Sequence, residues 1–371
     1  MTETKTPALR TRRAVFNQNA PDYLLLMVVA FGVTVVGTRA FLQITGFPQI
    51  GNSTFHIAHA LWGGLLLLIS AWLMLMFANR WIFQIAAVAA GAGVGLFIDE
   101  VGKFITQATD YFFPLAAPII YAAFLITVFV YLFVRRPRTQ DARAEMYTIL
   151  EDFQEVLDHD LSDDERKALT DRLEHVQQIA KRDDLRHLAE HMLSFVKSDT
   201  VPVATHQMSP WERFEGWLRR IETRWLPRGR FRTLIVLAVV LAGIGSVFAL
   251  IGLAVLIANP QALADIIALF VDQPQVTGDS SLMSYTAMSI LEVLGALLMG
   301  AAAVMFLRRR DVLAVRIASL ALVLSLTLTN VIGFYFDQFA MVATALYQLV
   351  LLLALLRYQQ RFLASNSPAT E

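Results

Sequence analysis

The chain has 371 residues, of which 56% are hydrophobic and 17% are charged, and its mean hydropathy is +0.53. A soluble domain carries about 25% charged residues and lacks repeated apolar runs of 20 residues, so the composition indicates a membrane protein. The formal net charge is zero, and the absence of cysteine excludes disulfides and thiolate metal sites. A membrane β-barrel is excluded too, because its strands alternate apolar and polar residues and these runs do not.

The apolar runs predict an all-α polytopic membrane helix bundle of eight transmembrane helices, four on each side of a small helical insert. The predicted helices lie at about 23–43, 55–77, 81–100, 112–134, 233–258, 282–307, 312–334 and 339–356. The predicted organisation is a tail at 1–20, helices one to four within 21–136, an insert at 137–209, an interfacial amphipathic helix at 210–228, helices five to eight within 229–361 and a tail at 362–371. On helix three, Gly91, Gly93 and Gly95 form a stripe where a neighbouring backbone can approach closely.

Basic residues predict the orientation of the helices. They concentrate in the N-terminal tail, at Arg80, around 135–136, in 140–232 and at 308–310, whereas the alternate loops hold almost none. Because basic loops stay on the cytoplasmic side, we expect both termini and the insert in the cytoplasm.

The insert differs from the rest of the chain in charge. Residues 140–199 hold sixteen Asp and Glu against eight Lys and Arg. Their apolar spacing predicts three amphipathic helices, and Ser162 followed by Glu165 predicts a capping box at the start of the second. Such an acidic bundle is a candidate surface for a cytoplasmic protein partner, and no nucleic acid is expected as a partner.

Ionisable residues near the predicted spans converge on the outer end of the bundle. They are Arg39, His56, His59, Asp99, Glu100, Lys103, Asp110 and Asp337. Because ionisable groups are costly in a membrane, they usually face the bundle interior or water and pair with each other. The sequence therefore predicts a polar site at this end.

Two chemistries are open for this polar site. His56 and His59 share one helix face, and with Asp99 they would suit Zn²⁺ or a similar divalent ion, with Glu100 as a further ligand or general base. Alternatively, Arg39 pairs with one carboxylate in a structural network, and the histidines bond to loop carbonyls. Since adjacent residues point in different directions, we expect only one of the two carboxylates to enter the bundle. A haem fits less well than either, because two rings three residues apart on one helix cannot supply opposite axial ligands.

A separate candidate lies near the middle of helix six. Glu292 shares a helix face with Tyr285 and Ser289. Thr327, Thr329 and Asn330 of helix seven are expected nearby. An intramembrane glutamate marks a proton or ion path by default, and the alternative is a neutral glutamate bonded to a neighbouring helix.

Four motifs resemble a group of bacterial multi-pass membrane proteins for which no activity is established. They are His56-Ile57-Ala58-His59-Ala60-Leu61-Trp62-Gly63-Gly64, Gly95-Leu96-Phe97-Ile98-Asp99-Glu100-Val101-Gly102-Lys103-Phe104, Asp110-Tyr111-Phe112-Phe113 and Phe334-Tyr335-Phe336-Asp337-Gln338-Phe339. The resemblance covers the eight-helix portion and implies a bacterial inner (plasma) membrane.

Three functions are consistent with these features. The first is a membrane-embedded, metal-dependent enzyme with its site at the outer end. The second is a transporter or channel whose ionisable path includes Glu292. The third is a sensor or scaffold whose insert binds a cytoplasmic partner.

Overall fold

The computed structural model describes residues 14–46, 58–107, 111, 113–136, 141–157, 161–198, 201–202, 217, 220, 224–258 and 279–363. Within these ranges every regular element is helical. In chain order the α-helices are α1 Ala20–Thr45, α2 His59–Met76, α3 Arg80–Asp99, α4 Val101–Ile105, α5 Ala116–Val134, α6 Ala142–Leu157, α7 Asp163–Ile179, α8 Asp183–Val196, α9 Arg228–Ala258, α10 Asp279–Leu307, α11 Asp311–Leu324, α12 Asn330–Phe336 and α13 Gln338–Tyr358. Two π-helical turns follow α11 and α13, at Ser325–Thr329 and Gln359–Leu363.

The predicted multi-pass helical membrane bundle is confirmed. Among the described residues, seven helical stretches are long and apolar enough to cross a membrane: α1, α2, α3, α5, α10, α11 continued through α12, and α13. The predicted fifth span corresponds to α9, a 31-residue helix that has no charged residue from Leu234 to Ala258. The chain therefore forms a bundle of membrane-spanning helices, with a helical insert between α5 and α9.

Several helix boundaries differ from the predicted ones. α2 begins at His59, after Ala58 in an extended conformation, so His56 and the predicted start of this helix lie outside the described residues. α5 begins at Ala116 instead of 112, which leaves Pro114 ahead of the helix. The predicted interfacial helix at 210–228 also falls mostly outside the described part of the chain.

Small residues let the first three spans approach closely, as the glycine stripe predicts. A β-carbon added at Gly63 would lie 2.7 Å from the carbonyl oxygen of Gly93, and one at Gly91 would overlap the carbonyl oxygen of Met27. α3 therefore packs backbone to backbone against α2 on one side and α1 on the other. This packing places the ends of α1, α2 and α3 next to each other.

The insert folds as the predicted three-helix unit. Its core contains Ile149, Leu169 and Val196, and the capping box of Ser162 and Glu165 is present at the start of α7. Because α6, α7 and α8 bury their apolar faces against each other, the acidic residues remain on the outside of the unit.

Polar contacts attach the insert to one end of the bundle. The guanidinium of Arg80, at the start of α3, donates to Asp152 and to Glu155. The amide of Asn19, next to α1, donates to Glu151 at 3.0 Å. The insert thus lies at the end of α3 opposite Asp99, about 30 Å away along a 20-residue helix.

The two halves of the membrane bundle meet at α5. The Tyr121 ring packs on Phe334 of α12 with 4.5 Å between centroids, and its hydroxyl donates to the carbonyl oxygen of Leu326 at 2.7 Å. Leu326 belongs to the π-helical turn, so α5 contacts the second half where its helical geometry is irregular.

Candidate functional site

Asp99 is the centre of a buried polar cluster at the end of α3. Its side chain is 0% exposed. One oxygen, Oδ1, accepts a hydrogen bond from Arg39 Nε at 2.7 Å. The other, Oδ2, lies 3.0 Å from His59 Nε2 and accepts from the Tyr111 hydroxyl at 2.6 Å. Three helices and one loop therefore converge on a single carboxylate.

Glu100 is buried next to it, and the expectation that only one carboxylate enters the bundle is wrong. The Glu100 side chain is 1% exposed. α3 ends at Asp99 and α4 begins at Val101, so the chain turns at Glu100 and directs both carboxylates at His59. Glu100 Oε1 lies 3.2 Å from His59 Nδ1 and accepts from Lys103 Nζ at 2.7 Å.

Tyr111 covers the cluster from the loop between α4 and α5. Its ring centroid lies 5.4 Å from Lys103 Nζ and 5.7 Å from Arg39 Cζ, within the range of cation–π attraction. Burial, and then the charge of Asp99, raises the pKa of the Tyr111 hydroxyl. The hydroxyl is therefore a neutral hydrogen-bond donor at physiological pH.

Arg39 also links the cluster to the second half of the bundle. Its Nη1 donates to the side-chain oxygen of Gln338, the first residue of α13. Arg39 is 8% exposed and Gln338 is 7% exposed. In the described part of the chain, Arg39 Nη2 and Gln338 Nε2 have no hydrogen-bond partner. We call Arg39, His59, Asp99, Glu100, Lys103, Tyr111 and Gln338 the Asp99 cluster.

The structure unites most of the residues predicted at this end. Arg39, His59, Asp99, Glu100 and Lys103 are in contact, whereas His56 and Asp110 lie outside the described residues. Asp337 is exposed and caps α13 by accepting from the Ala340 backbone N–H at 2.9 Å. Sequence reasoning missed Tyr111 and Gln338, although both lie in the motifs of the resemblance.

The predicted divalent metal stays a prediction. Both ring nitrogens of His59 already face carboxylate oxygens. Among the described residues, no group of three His, Asp or Glu is placed to hold a metal ion. A structural zinc site needs four ligands around the ion, so His59 and Asp99 would need further ligands from elsewhere.

Glu292 lines a cavity in the second half of the bundle, near the middle of α10. The cavity has a volume of about 290 Å³. Its polar lining residues are Glu292, Ser325, Thr329, Asn330, Thr344, Tyr347 and Gln348, from α10, the π-helical turn, α12 and α13. We call this space the Glu292 cavity. Thr329 and Asn330 are near Glu292 as expected, whereas Thr327 is exposed and bonds to its own helix at Val323.

The π-helical turn shapes one wall of the Glu292 cavity. From Ser325 to Thr329 the backbone widens, and the N–H of Asn330 bonds to the carbonyl oxygen of Ser325, five residues back. Such turns are rare and occur often at functional sites. A β-carbon added at Gly295 would lie 3.4 Å from Ser325 Oγ, so this wall faces α10 one turn after Glu292.

Several polar groups of the cavity already have partners. Asn330 donates to the side-chain oxygen of Gln348 at 2.8 Å, and Tyr347 donates to the carbonyl oxygen of Ala238 at 2.7 Å. Thr344 donates to its own helix at Ala340. Within the described residues, the side chains of Glu292, Ser325 and Thr329 form no hydrogen bond. These three side chains therefore face the cavity without a competing bond among the described residues.

The chain matches no protein-family model, no curated protein and no solved structure.

Proposed function

We propose that this chain is a membrane transporter or channel whose solute path includes the Glu292 cavity. The observation that carries the proposal is the carboxylate of Glu292, which has no hydrogen-bond partner among the described residues. It lies near the middle of a membrane-spanning helix, on the wall of a cavity of about 290 Å³. Ionisable residues inside a membrane are costly, and those that do not pair with each other often line solute or ion paths. We further propose that the protein lies in a bacterial inner membrane, with both termini and the insert on its cytoplasmic side.

The irregular backbone beside Glu292 supports the same proposal. Non-helical backbone at membrane depth is tolerated where it is buried in protein or lines a water-filled cavity. Many transporters bind their solutes where a membrane helix is interrupted near the middle of the membrane, and the π-helical turn is a milder irregularity that widens the helix without breaking it. The π-helical turn at Ser325–Thr329 lies within a 26-residue span and lines the cavity.

The Asp99 cluster supports an enzyme function less well than the Glu292 cavity supports transport. An acid–base or metal site needs a group with a free lone pair or proton facing the substrate. His59 Nε2 and Nδ1 both face carboxylates, and Asp99 Oδ2 faces two donors. The metal-dependent enzyme remains the alternative, with His56, His59 and Asp99 as ligands and Glu100 as the base.

Solute flux in proteoliposomes tests the transport proposal. We expect the reconstituted chain to give a pH- or ion-dependent flux that Glu292→Gln lowers at least tenfold, because the substitution removes the charge and keeps the shape. Glu190→Gln is the matched control, since Glu190 is exposed on the insert, and it leaves the flux unchanged. Equal flux through the wild type and the Glu292→Gln protein would refute the proposal, as would no flux across a panel of cations, anions and neutral solutes.

A further inference from the structure

We propose that the Glu292 cavity binds a small primary ammonium compound, and this inference rests on the transport function proposed above. The first argument is charge. Glu292 is the only charged residue among the described lining residues of the cavity. A half-buried carboxylate at membrane depth is costly without a nearby cation, and a positively charged ligand offsets that cost, whereas an anion adds repulsion.

The volume of the Glu292 cavity favours an organic cation over a bare metal ion. A cavity of 290 Å³ holds about ten water molecules at about 30 Å³ each, which matches a small organic molecule. A hard metal ion binds about six oxygens in direct contact, so it would fill only a small part of this space.

The available hydrogen-bond acceptors match an ammonium group. A primary ammonium has three N–H donors and no acceptor. The cavity offers three side chains without a hydrogen bond among the described residues, Glu292, Ser325 and Thr329, and each carries an oxygen that accepts.

The remaining wall suits an alkyl body. Half of the lining residues are apolar or glycine, and they include Met299, Leu322 and Met341. Methionine side chains are flexible and polarizable, so they adapt to alkyl groups of different shape. An alkylammonium would thus place its charge at Glu292 and its chain against the methionines.

Equilibrium binding to the detergent-purified full chain tests this inference without any flux. The probes are n-butylammonium, 1-butanol, butyrate and Na⁺, with binding measured by calorimetry and by the shift in unfolding temperature. We expect saturable binding of n-butylammonium alone among the four. Glu292→Gln weakens it at least tenfold, and Thr329→Val weakens it about tenfold or more, since a hydrogen bond to a charged group is lost. Glu190→Gln binds like the wild type.

Three results of the binding measurements would overturn the inference. Binding of 1-butanol or butyrate as strong as that of n-butylammonium would show that charge does not select the ligand. Competition by Na⁺ at the same concentration would assign the cavity to an inorganic cation. If Glu292→Gln does not fold, Thr329→Val and Ser325→Ala decide, and unchanged affinity in both refutes the role of these acceptors. Binding without flux refutes the transport function and leaves this inference standing, whereas flux without n-butylammonium binding does the reverse.

Discussion

Asp99→Asn is the substitution that tests the Asp99 cluster most directly. The asparagine keeps the shape of Asp99 and removes its charge. Arg39, whose side chain is 10% exposed, then keeps a buried positive charge with only a neutral amide opposite it. Removing one partner of a buried ion pair costs about 3–5 kcal/mol, so we expect the free energy of unfolding to fall by about that amount.

The measurement is a denaturant titration in mixed micelles, followed by the helical circular dichroism signal. Asp337→Asn is the control, because Asp337 is exposed and asparagine caps a helix as well as aspartate does. We expect the control to stay within about 0.5 kcal/mol of the wild type.

A double-mutant cycle separates the ion pair from other effects of the substitution. Arg39→Met combined with Asp99→Asn removes both charges, so its loss of stability is smaller than the sum of the two single losses by about 1–3 kcal/mol. Additive losses, or an Asp99→Asn protein within about 1 kcal/mol of the wild type, would refute the assignment of Asp99 as the partner that neutralises Arg39.

Other parts of the fold make predictions of their own. Gly91→Ala forces α1 and α3 apart, because the new methyl group overlaps the Met27 carbonyl oxygen, and we expect a loss of about 1–3 kcal/mol in the same titration. Gly64→Ala meets nothing within 4 Å, so it should be neutral or stabilise by up to about 1 kcal/mol, and equal effects of the two would contradict the close packing. Ser162→Ala removes the capping box of α7, at a cost of about 1 kcal/mol, and faster hydrogen exchange in its first turn is the readout. Arg80→Gln breaks the half-buried contacts to the insert, so limited proteolysis should cut the insert faster while the spans lose less than about 1 kcal/mol; an unchanged cleavage rate would count against this contact.

The sequence was sufficient for the spans and for the end at which the polar residues meet. In lipid a backbone must satisfy its own hydrogen bonds, so an apolar run of 20 residues has few structures open to it. The sequence also predicts the close packing at Gly91 and Gly93, since small residues on one face of a span are typical of close helix contacts. Ser162 and Glu165 predict a local bond that needs no tertiary context.

The content of the two sites depends on contacts that sequence spacing does not encode. Glu100 enters the bundle only because α3 ends one residue earlier, and nothing in the adjacent apolar run specifies that break. Gln338 is 299 residues from Arg39 and uncharged, so no pairing rule connects the two. The charge of Glu292 identifies it as a candidate from sequence alone. The cavity beside it depends on the π-helical turn, and the amino-acid composition of Ser325–Thr329 does not predict that turn.

α3 carries a charged anchor at each of its ends. Arg80 attaches the first turn of α3 to the insert through Asp152 and Glu155. Asp99, the last residue of α3, pairs with Arg39 of α1. A helix held in this way cannot slide along its axis or rotate without breaking an ion pair at one end. If α10 and α13 rearrange when a solute enters or leaves the Glu292 cavity, α3 is the stationary element against which that movement would be measured. A spectroscopic label on α3 is therefore the natural reference for distance changes within this protein.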